Sequence, residues 1–450
     1  MSKFKEIIAS VKQDKMLNRV LQNSSYLFSS NTISSGLTTI QGILAAIILG
    51  PKEYGILGLI ITFASNVNRL LSFRMGELVI KFGGAYLESG EKNKAASVIK
   101  LAGYTEFVSS IIAYLLLLLT APLASKFILK NPDLSKWIMI YGVALLANFV
   151  TETSTAILQL ANKYKTIATF NLAQNFVTAI WIVVLFIVNG NLFEVLLAYL
   201  VGKFIFGFGI FISGMTHLKK LVGDDWRAQS VFQVENIREI VKFAFSTNLS
   251  GTVNLLIRDS EVLWFGYFWS AEIVGYYKFG LAILNPIMMP INTLITTTYP
   301  EINRLISQKL WDPLRNLIKK TTLISLLWTG TCTLGLILLG DWLLSFIKDG
   351  KYLPSLPITL ILLIGYGCAN ILFWNRNLLL AFNQPNTPLI IMGIFGVIKI
   401  IVMLLTVPNF GYLYQSGLLS AYFVLSVGLI SILGWMQIPK SSKISANLEV

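Results

Sequence analysis

Twelve apolar stretches of about 20 residues or more, parted by short polar or Gly/Pro-containing breaks, constrain this chain more than any motif in it. They lie near 24–49, 55–78, 98–122, 135–160, 167–189, 192–216, 243–267, 273–299, 317–339, 353–380, 388–408 and 411–436. At 1.5 Å rise per residue each is long enough to cross a hydrocarbon core of roughly 30 Å. Only 13% of the 450 residues are charged and 55% are hydrophobic, whereas soluble domains carry about 25% charged residues. Most of the surface therefore faces lipid, and the expected class is an all-α integral membrane protein.

The placement of Lys and Arg gives an orientation. Residues 1–23 carry Lys3, Lys5, Lys12, Lys15 and Arg19 among scattered Phe4, Ile7, Ile8 and Val11. That mixture lacks the unbroken apolar core of a cleavable signal and reads as an amphipathic arm on the membrane surface. The arm, the loops after the even-numbered spans and the tail 437–450 hold most of the basic residues, so both termini are expected in the cytoplasm of a multi-pass cytoplasmic (inner) membrane protein. The net charge of +14 follows from this asymmetry; it is spread over short loops such as Lys219–Lys220 and Lys319–Lys320, which argues against nucleic acid as a partner. Two cysteines, Cys332 and Cys368, both inside apolar segments, suggest neither a disulfide framework nor a metal site.

The longest polar stretch, about 217–242, reads as a cytoplasmic linker between a bundle at 24–216 and another at 243–436. Gly223-Asp224-Asp225 within it suits an exposed turn better than a paired-Asp metal site. The halves resemble each other at a spacing near 220 residues: Pro51-Lys52-Glu53-Tyr54-Gly55 sits opposite Ala271-Glu272-Ile273-Val274-Gly275, and Val98-Ile99-Lys100 opposite Ile318-Lys319-Lys320. Asn162 to Thr166 lines up likewise with Asn383 to Thr387. Duplicated six-helix bundles around a central site are a transporter signature.

Four stretches carry a family resemblance. Leu49-Gly50-Pro51-Lys52-Glu53-Tyr54-Gly55-Ile56-Leu57-Gly58 resembles the first extracellular turn of Wzx-type oligosaccharide flippases, the polysaccharide branch of the multidrug/oligosaccharidyl-lipid/polysaccharide exporter superfamily. Gly90 to Lys94, Leu158 to Thr166 and Val407-Pro408-Asn409-Phe410-Gly411 fall where that family has similar features. The resemblance implies two pseudo-symmetric bundles around a central cavity opening alternately to either side. It implies a polyprenyl-pyrophosphate-linked oligosaccharide as cargo, a coupling ion (H+ or Na+), and a glycan polymerase and glycosyltransferases as partners. No cofactor is expected.

A charge at mid-span costs about 2.5–3.5 kcal/mol on insertion scales, so intramembrane charges are the candidate functional residues. In the second span Asn66, Arg69, Arg74 and Glu77 fall within an arc of about 140° on a continuous helix. A guanidinium there suits bidentate contact with a pyrophosphate, which Lys does not offer. In the seventh span Asn254, Arg258 and Glu261 share a face, with Asp259 beside it; Arg258 either pairs with Glu261 or lines a cavity. Arg376 lines the cavity or snorkels to the cytoplasmic interface. Lys203 is a further cavity candidate, while Lys278 and Lys399 are weaker ones. Glu106 and Glu152, with Asp259, are candidates for ion coupling, the alternative for Glu152 being a hydrogen bond to Thr151 or Thr153. Pro286 and Pro290 are hinge candidates or static kinks. Trp181, Trp264, Trp269 and Trp342 read as an interfacial belt.

Catalysis is not expected. His217 is the only histidine, which excludes multi-His metal chemistry. No G-x-x-x-x-G-K-[ST] loop is present, and the outer loops around 121–136 and 340–353 are short. Rival readings are a drug/cation antiporter, a lipid II flippase of the same superfamily, and a non-transporting scaffold for glycan assembly. The deep charges include more Arg and Lys than Asp and Glu, which favours an anionic cargo.

Overall fold

The computed structural model describes residues 15–230 and 237–439. Among these residues there is no strand. The helices are α1 (Lys15–Leu71), α2 (Met75–Leu78), α3 (Gly84–Glu88), α4 (Lys92–Phe127), α5 (Ser135–Ala147), α6 (Thr151–Leu160), α7 (Tyr164–Val188) and α8 (Leu192–Val222), followed by α9 (Ile237–Asn254), α10 (Glu261–Phe268), α11 (Ala271–Ser307), α12 (Trp311–Ser345), α13 (Ser355–Ile371), α14 (Asn375–Ala381), α15 (Asn386–Phe410) and α16 (Tyr412–Met436). Ten helical segments among the described residues are long and apolar enough to cross a membrane. The first of these, Ser29–Glu88, contains two of the expected spans, which part at Gly50. The outward surface carries Leu119, Ile187, Leu338 and Leu405 at 70% exposure or more, as lipid demands and water does not allow. Most of the N-terminal arm and the tail lie outside the described residues.

Turn chemistry sets the span ends. Gly50 (φ 72°, ψ 173°) and Gly411 (φ 87°, ψ 174°) each break the helical path at a single residue between two helices. That conformation belongs to glycine alone, at about 1–3 kcal/mol for any other residue. Gly411→Ala is therefore expected to lower the thermal midpoint measurably while Gly393→Ala, with nothing within 4 Å of its missing Cβ, does not; unfolding in detergent or nanodiscs checks this. Asn191 caps α8 reciprocally with Glu194, satisfying two orphan donors at the helix start. The turn after α3 has Gly90 at φ 81°, and the Lys94 ammonium hydrogen-bonded to Glu91 holds that carboxyl below the usual carboxylate range. The Gly223 stretch is a turn, with Asp224 paired to Lys219 at 2.9 Å; among the described residues no group of His, Cys, Asp and Glu is suited to a metal.

The chain divides into two compact units, Met1–Leu49 with Ile56–Tyr267, and Gly50–Gly55 with Phe268–Val450. Residues 243–267, read from sequence as the opening of the second bundle, are counted in the first unit. The physical reason is visible at Gly266, whose bare Cα lies against Leu59 and Ile128. One apolar cluster of that unit gathers Met75, Val79, Ile99, Ile157 and Leu218. In the second unit a cluster forms around Ile302, Leu314, Phe373, Trp374 and Leu378.

Also within the second unit, the two segments matched at a spacing of 220 meet each other. A Cβ on Gly55 would collide with the Ala271 carbonyl, and one on Gly275 with the Pro51 carbonyl. Positions 51 and 55 stand to 271 and 275 as first copy to second, so the contact is reciprocal, the form a two-fold relation imposes on self-matching surfaces. Beside it Tyr54 meets Tyr352 edge-on at 6.4 Å, and Tyr352 lies on Phe279 at 4.3 Å.

Candidate functional site

Two expected spans of the first unit are broken, and the breaks face each other. The second span leaves the helix at Ser72–Arg74 and resumes at Met75, with Arg74 in the left-handed region at φ 50°, ψ 49°. A left-handed non-glycine residue costs roughly 1–2 kcal/mol, and such strain clusters at functional sites. The carbonyls stranded at the end of α1 are met from α9: Asn248 Nδ2 donates to Ser72 O at 2.5 Å and to Leu70 O at 3.4 Å. The fourth span breaks between α5 and α6, and there the stranded groups are N–H donors. Glu106 of α4, 7% exposed, accepts the Glu152 N–H at 2.7 Å and the Thr153 N–H at 2.9 Å. Ser72 Oγ then donates to Glu152 Oε1 at 2.7 Å, tying one break to the other. Between them lies a cavity of about 140 Å³, with Asn68, Ser72, Glu106, Ser110, Asn148 and Glu152 among its lining residues.

A third irregularity brings the charges of the seventh span to those of the second. Residues Leu255–Asp259 form a π-helical turn between α9 and α10, a device that recurs at functional sites because it re-aims side chains. Asp259 accepts from Arg69 Nη1 at 2.5 Å and from Arg258 Nε at 2.9 Å. Arg69 and Arg258 are each about half exposed while Asp259 is 15% exposed. The two guanidinium groups thus share one carboxylate that is itself covered. Arg74 pairs with Glu77 at 2.8 Å and lies beside Gly251 of α9.

The expected stripe of Asn66, Arg69, Arg74 and Glu77 on one uninterrupted helix does not form, because the break at Ser72–Arg74 resets the register. Asn66 is buried, with Nδ2 lacking a hydrogen-bond partner. Arg258 meets Asp259 at 2.9 Å, and Glu261 is buried at the head of α10. The side chain of Asn254 lies outside the described ones. Glu152 finds Ser72 rather than Thr151 or Thr153 as hydroxyl donor. Lys203 is exposed on α8. In the second unit Arg376 is exposed at the start of α14, Lys399 is buried in α15, and Lys278 is part-buried in α11. Pro286 and Pro290 lie on the exposed face of α11, which stays helical from Ala271 to Ser307. Trp328 Nε1 donates to the Ile287 carbonyl between these prolines at 2.9 Å. Asn248, Ser110 and Asn148 were not among the sequence candidates: nothing marks a neutral side chain in an apolar span as helix-end partner until the breaks are seen.

Comparison with known proteins places this architecture. Among solved structures the chain is similar to one described as lipid II flippase MurJ in an inward closed conformation, at a TM-score of 0.70 and 16% identity, covering 92% of this chain and 88% of that one. It is equally similar to an inward-facing multidrug resistance MATE family transporter of the MOP superfamily, at a TM-score of 0.70 and 11% identity over 90% and 94% of the two chains. These likenesses show the fold. In sequence, the chain is 21% identical over 310 residues to the inner membrane protein YghQ of Escherichia coli (strain K12), covering 65% of this chain and 82% of that protein. The model of the polysaccharide biosynthesis protein family matches residues 20–306. With more than half of its length matched, the chain belongs to the polysaccharide biosynthesis protein family.

Proposed function

We propose that the protein is a flippase that carries polyprenyl-pyrophosphate-linked oligosaccharide units across the cytoplasmic membrane for polysaccharide assembly, by alternating access. The observation that carries this reading is the group of Arg69, Arg258 and Asp259 in a member of the polysaccharide biosynthesis family. Two half-exposed guanidiniums meet there on one covered carboxylate. A pyrophosphate takes such donors bidentately. The similar proteins include a flippase and a transporter. The positive-inside asymmetry puts both termini in the cytoplasm, so cargo charged on that face by glycosyltransferases is delivered to a polymerase outside.

In cells lacking the protein, lipid-linked repeat units should accumulate with their sugars on the cytoplasmic leaflet. Probing spheroplasts and inverted vesicles with a membrane-impermeant glycosidase reads this directly. Normal delivery of the units to the outer leaflet, with only polymer length altered, would mark the protein as a scaffold instead.

A further inference from the structure

The first span has two exposed faces, and lipid can take only one of them. At 100° per residue, Ile33, Leu37, Ile40 and Leu44 fall together on one side of α1, while Asn31, Ser35 and Thr38 fall together on the other. Ile33 and Ile40 are 53% and 50% exposed, as a lipid contact allows. Asn31, Thr32, Ser35 and Thr38 are exposed as well. Hydrocarbon penalises amide and hydroxyl groups that find no partner, so this second face borders a wet space inside the membrane.

Polar side chains on a membrane helix commonly serve to hold a neighbouring helix, and some of these do. Ser30 Oγ donates to the Ala168 carbonyl of α7 at 3.0 Å, and Gln41 Nε2 to the Asn175 carbonyl at 2.7 Å. Asn171 Nδ2 donates to Asn31 Oδ1 at 3.2 Å. Thr38 Oγ1 is shared between the Ser34 carbonyl at 2.8 Å and Asn175 Oδ1 at 3.2 Å. These bonds join α1 to α7 and fix the amide rotamers, but they do not use up the face. Among the described residues Asn31 Nδ2, the Thr32 and Ser35 hydroxyls and the Gln174 amide of α7 meet no partner. Ser34, 6% exposed and one turn from both Ser30 and Thr38, is buried with its hydroxyl unpartnered.

The unused groups are amides and hydroxyls, which both donate and accept. No Asp, Glu, Lys or Arg occurs in residues 29–49 of α1 or 166–188 of α7, so the face selects neither an anion nor a cation. What it matches is a neutral polyol, whose hydroxyls also donate and accept. Asn31 and Arg69 each stand 19 residues from the break at Gly50, about 28 Å along either helix. Spans that cross in opposite directions carry the two at one depth. We propose that Asn31, Thr32 and Ser35 of α1, with Gln174 of α7, form a sugar subsite that hydrogen-bonds the neutral hydroxyl and acetamido groups of the glycan next to the pyrophosphate. The subsite rests on the flippase reading, which supplies the cargo, and it takes the part of that cargo which the arginines do not recognise. Its contacts are neutral, so salt that screens the arginine contact leaves the preference for sugar in place.

The test titrates the purified full-length protein with two probes, bare polyprenyl pyrophosphate and the same lipid carrying a single N-acetylhexosamine, and reads binding by native mass spectrometry. Wild type should bind the glycosylated probe about tenfold tighter, the equivalent of about 1.4 kcal/mol. Asn31→Ala with Ser35→Ala should abolish that preference and leave the affinity for the bare probe unchanged. Ile33→Ala with Ile40→Ala, on the lipid face, should alter neither, and Arg69→Ala should weaken both probes alike. Gln174→Ala touches none of the bonds that join α1 to α7, so it reports on the subsite even where the double variant fails to fold. Equal binding of the two probes by wild type, or a preference that survives both in Gln174→Ala and in the folded double variant, overturns the subsite and leaves the pyrophosphate reading standing. Failure of wild type to bind either probe overturns both.

Discussion

Replacing Arg69 and Arg74 together by alanine is expected to slow head-group flipping by about 100-fold or more, with the protein still folded and inserted. Each guanidinium offers charge-assisted hydrogen bonds worth about 1.5–3 kcal/mol, and 1.4 kcal/mol is a factor of ten. Both side chains are about half exposed, and the covered Asp259 carboxylate keeps Arg258 as a partner when Arg69 is lost. Two companion variants separate charge from geometry. Arg69→Lys keeps the charge but loses the planar fork, and should fall between wild type and alanine. Asp259→Asn removes the internal anion shared by Arg69 and Arg258; it should tighten head-group binding while slowing release, because cargo no longer competes with a resident carboxylate. Rates in reconstituted vesicles, read beside binding of the same lipid, distinguish these outcomes. A double-alanine variant that flips at the wild-type rate would remove the arginines from the transport path.

The largest structural effect is expected at the reciprocal glycine contact. Gly55→Val or Gly275→Val places a side chain into a backbone carbonyl, of Ala271 in the first case and of Pro51 in the second. Overpacking commonly costs about 1–3 kcal/mol, and a carbonyl within a helix cannot swing aside as a side chain does, so each variant should exceed that range and fail to accumulate as folded protein. Gly330→Ala, with nothing within 4 Å of its missing Cβ, should be neutral or slightly stabilising because alanine favours helix. Expression yield and the unfolding midpoint of the three variants decide the matter. Equal behaviour of Gly55→Val and Gly330→Ala would mean that the approach is not as close as described.

The spans and the charged residues are legible in the sequence for the same reason: lipid penalises anything but an apolar helix, so runs of apolar residues and their rare charged exceptions both stand out. The segments Pro51–Gly55 and Ala271–Gly275 stand out in the sequence as matched stretches, whereas their contact with each other is visible only in the structure. What periodicity hides is the breaks. Ser72-Phe73-Arg74 and Asn148-Phe149-Val150 hold neither Gly nor Pro, and the α1 and α6 ends they create are satisfied by Asn248 and Glu106, residues far away in sequence. An arc drawn on an ideal helix therefore placed Arg74 beside Arg69, and a register counted through Leu255–Asp259 ignored the π turn there. Glu106 was found as a rare buried carboxylate, but its task at the N-terminus of α6 could only be seen once that helix had a start.

The account's central claim is that the arginines recognise a pyrophosphate. The most direct test compares flipping in proteoliposomes of two lipids with the same polyprenyl tail and oligosaccharide, one joined through pyrophosphate and one through an uncharged linker. The pyrophosphate lipid should be flipped only in vesicles containing the protein, with the uncharged analogue slower by about tenfold or more, as expected for loss of at least one charge-assisted contact. Equal rates for the two lipids would contradict it.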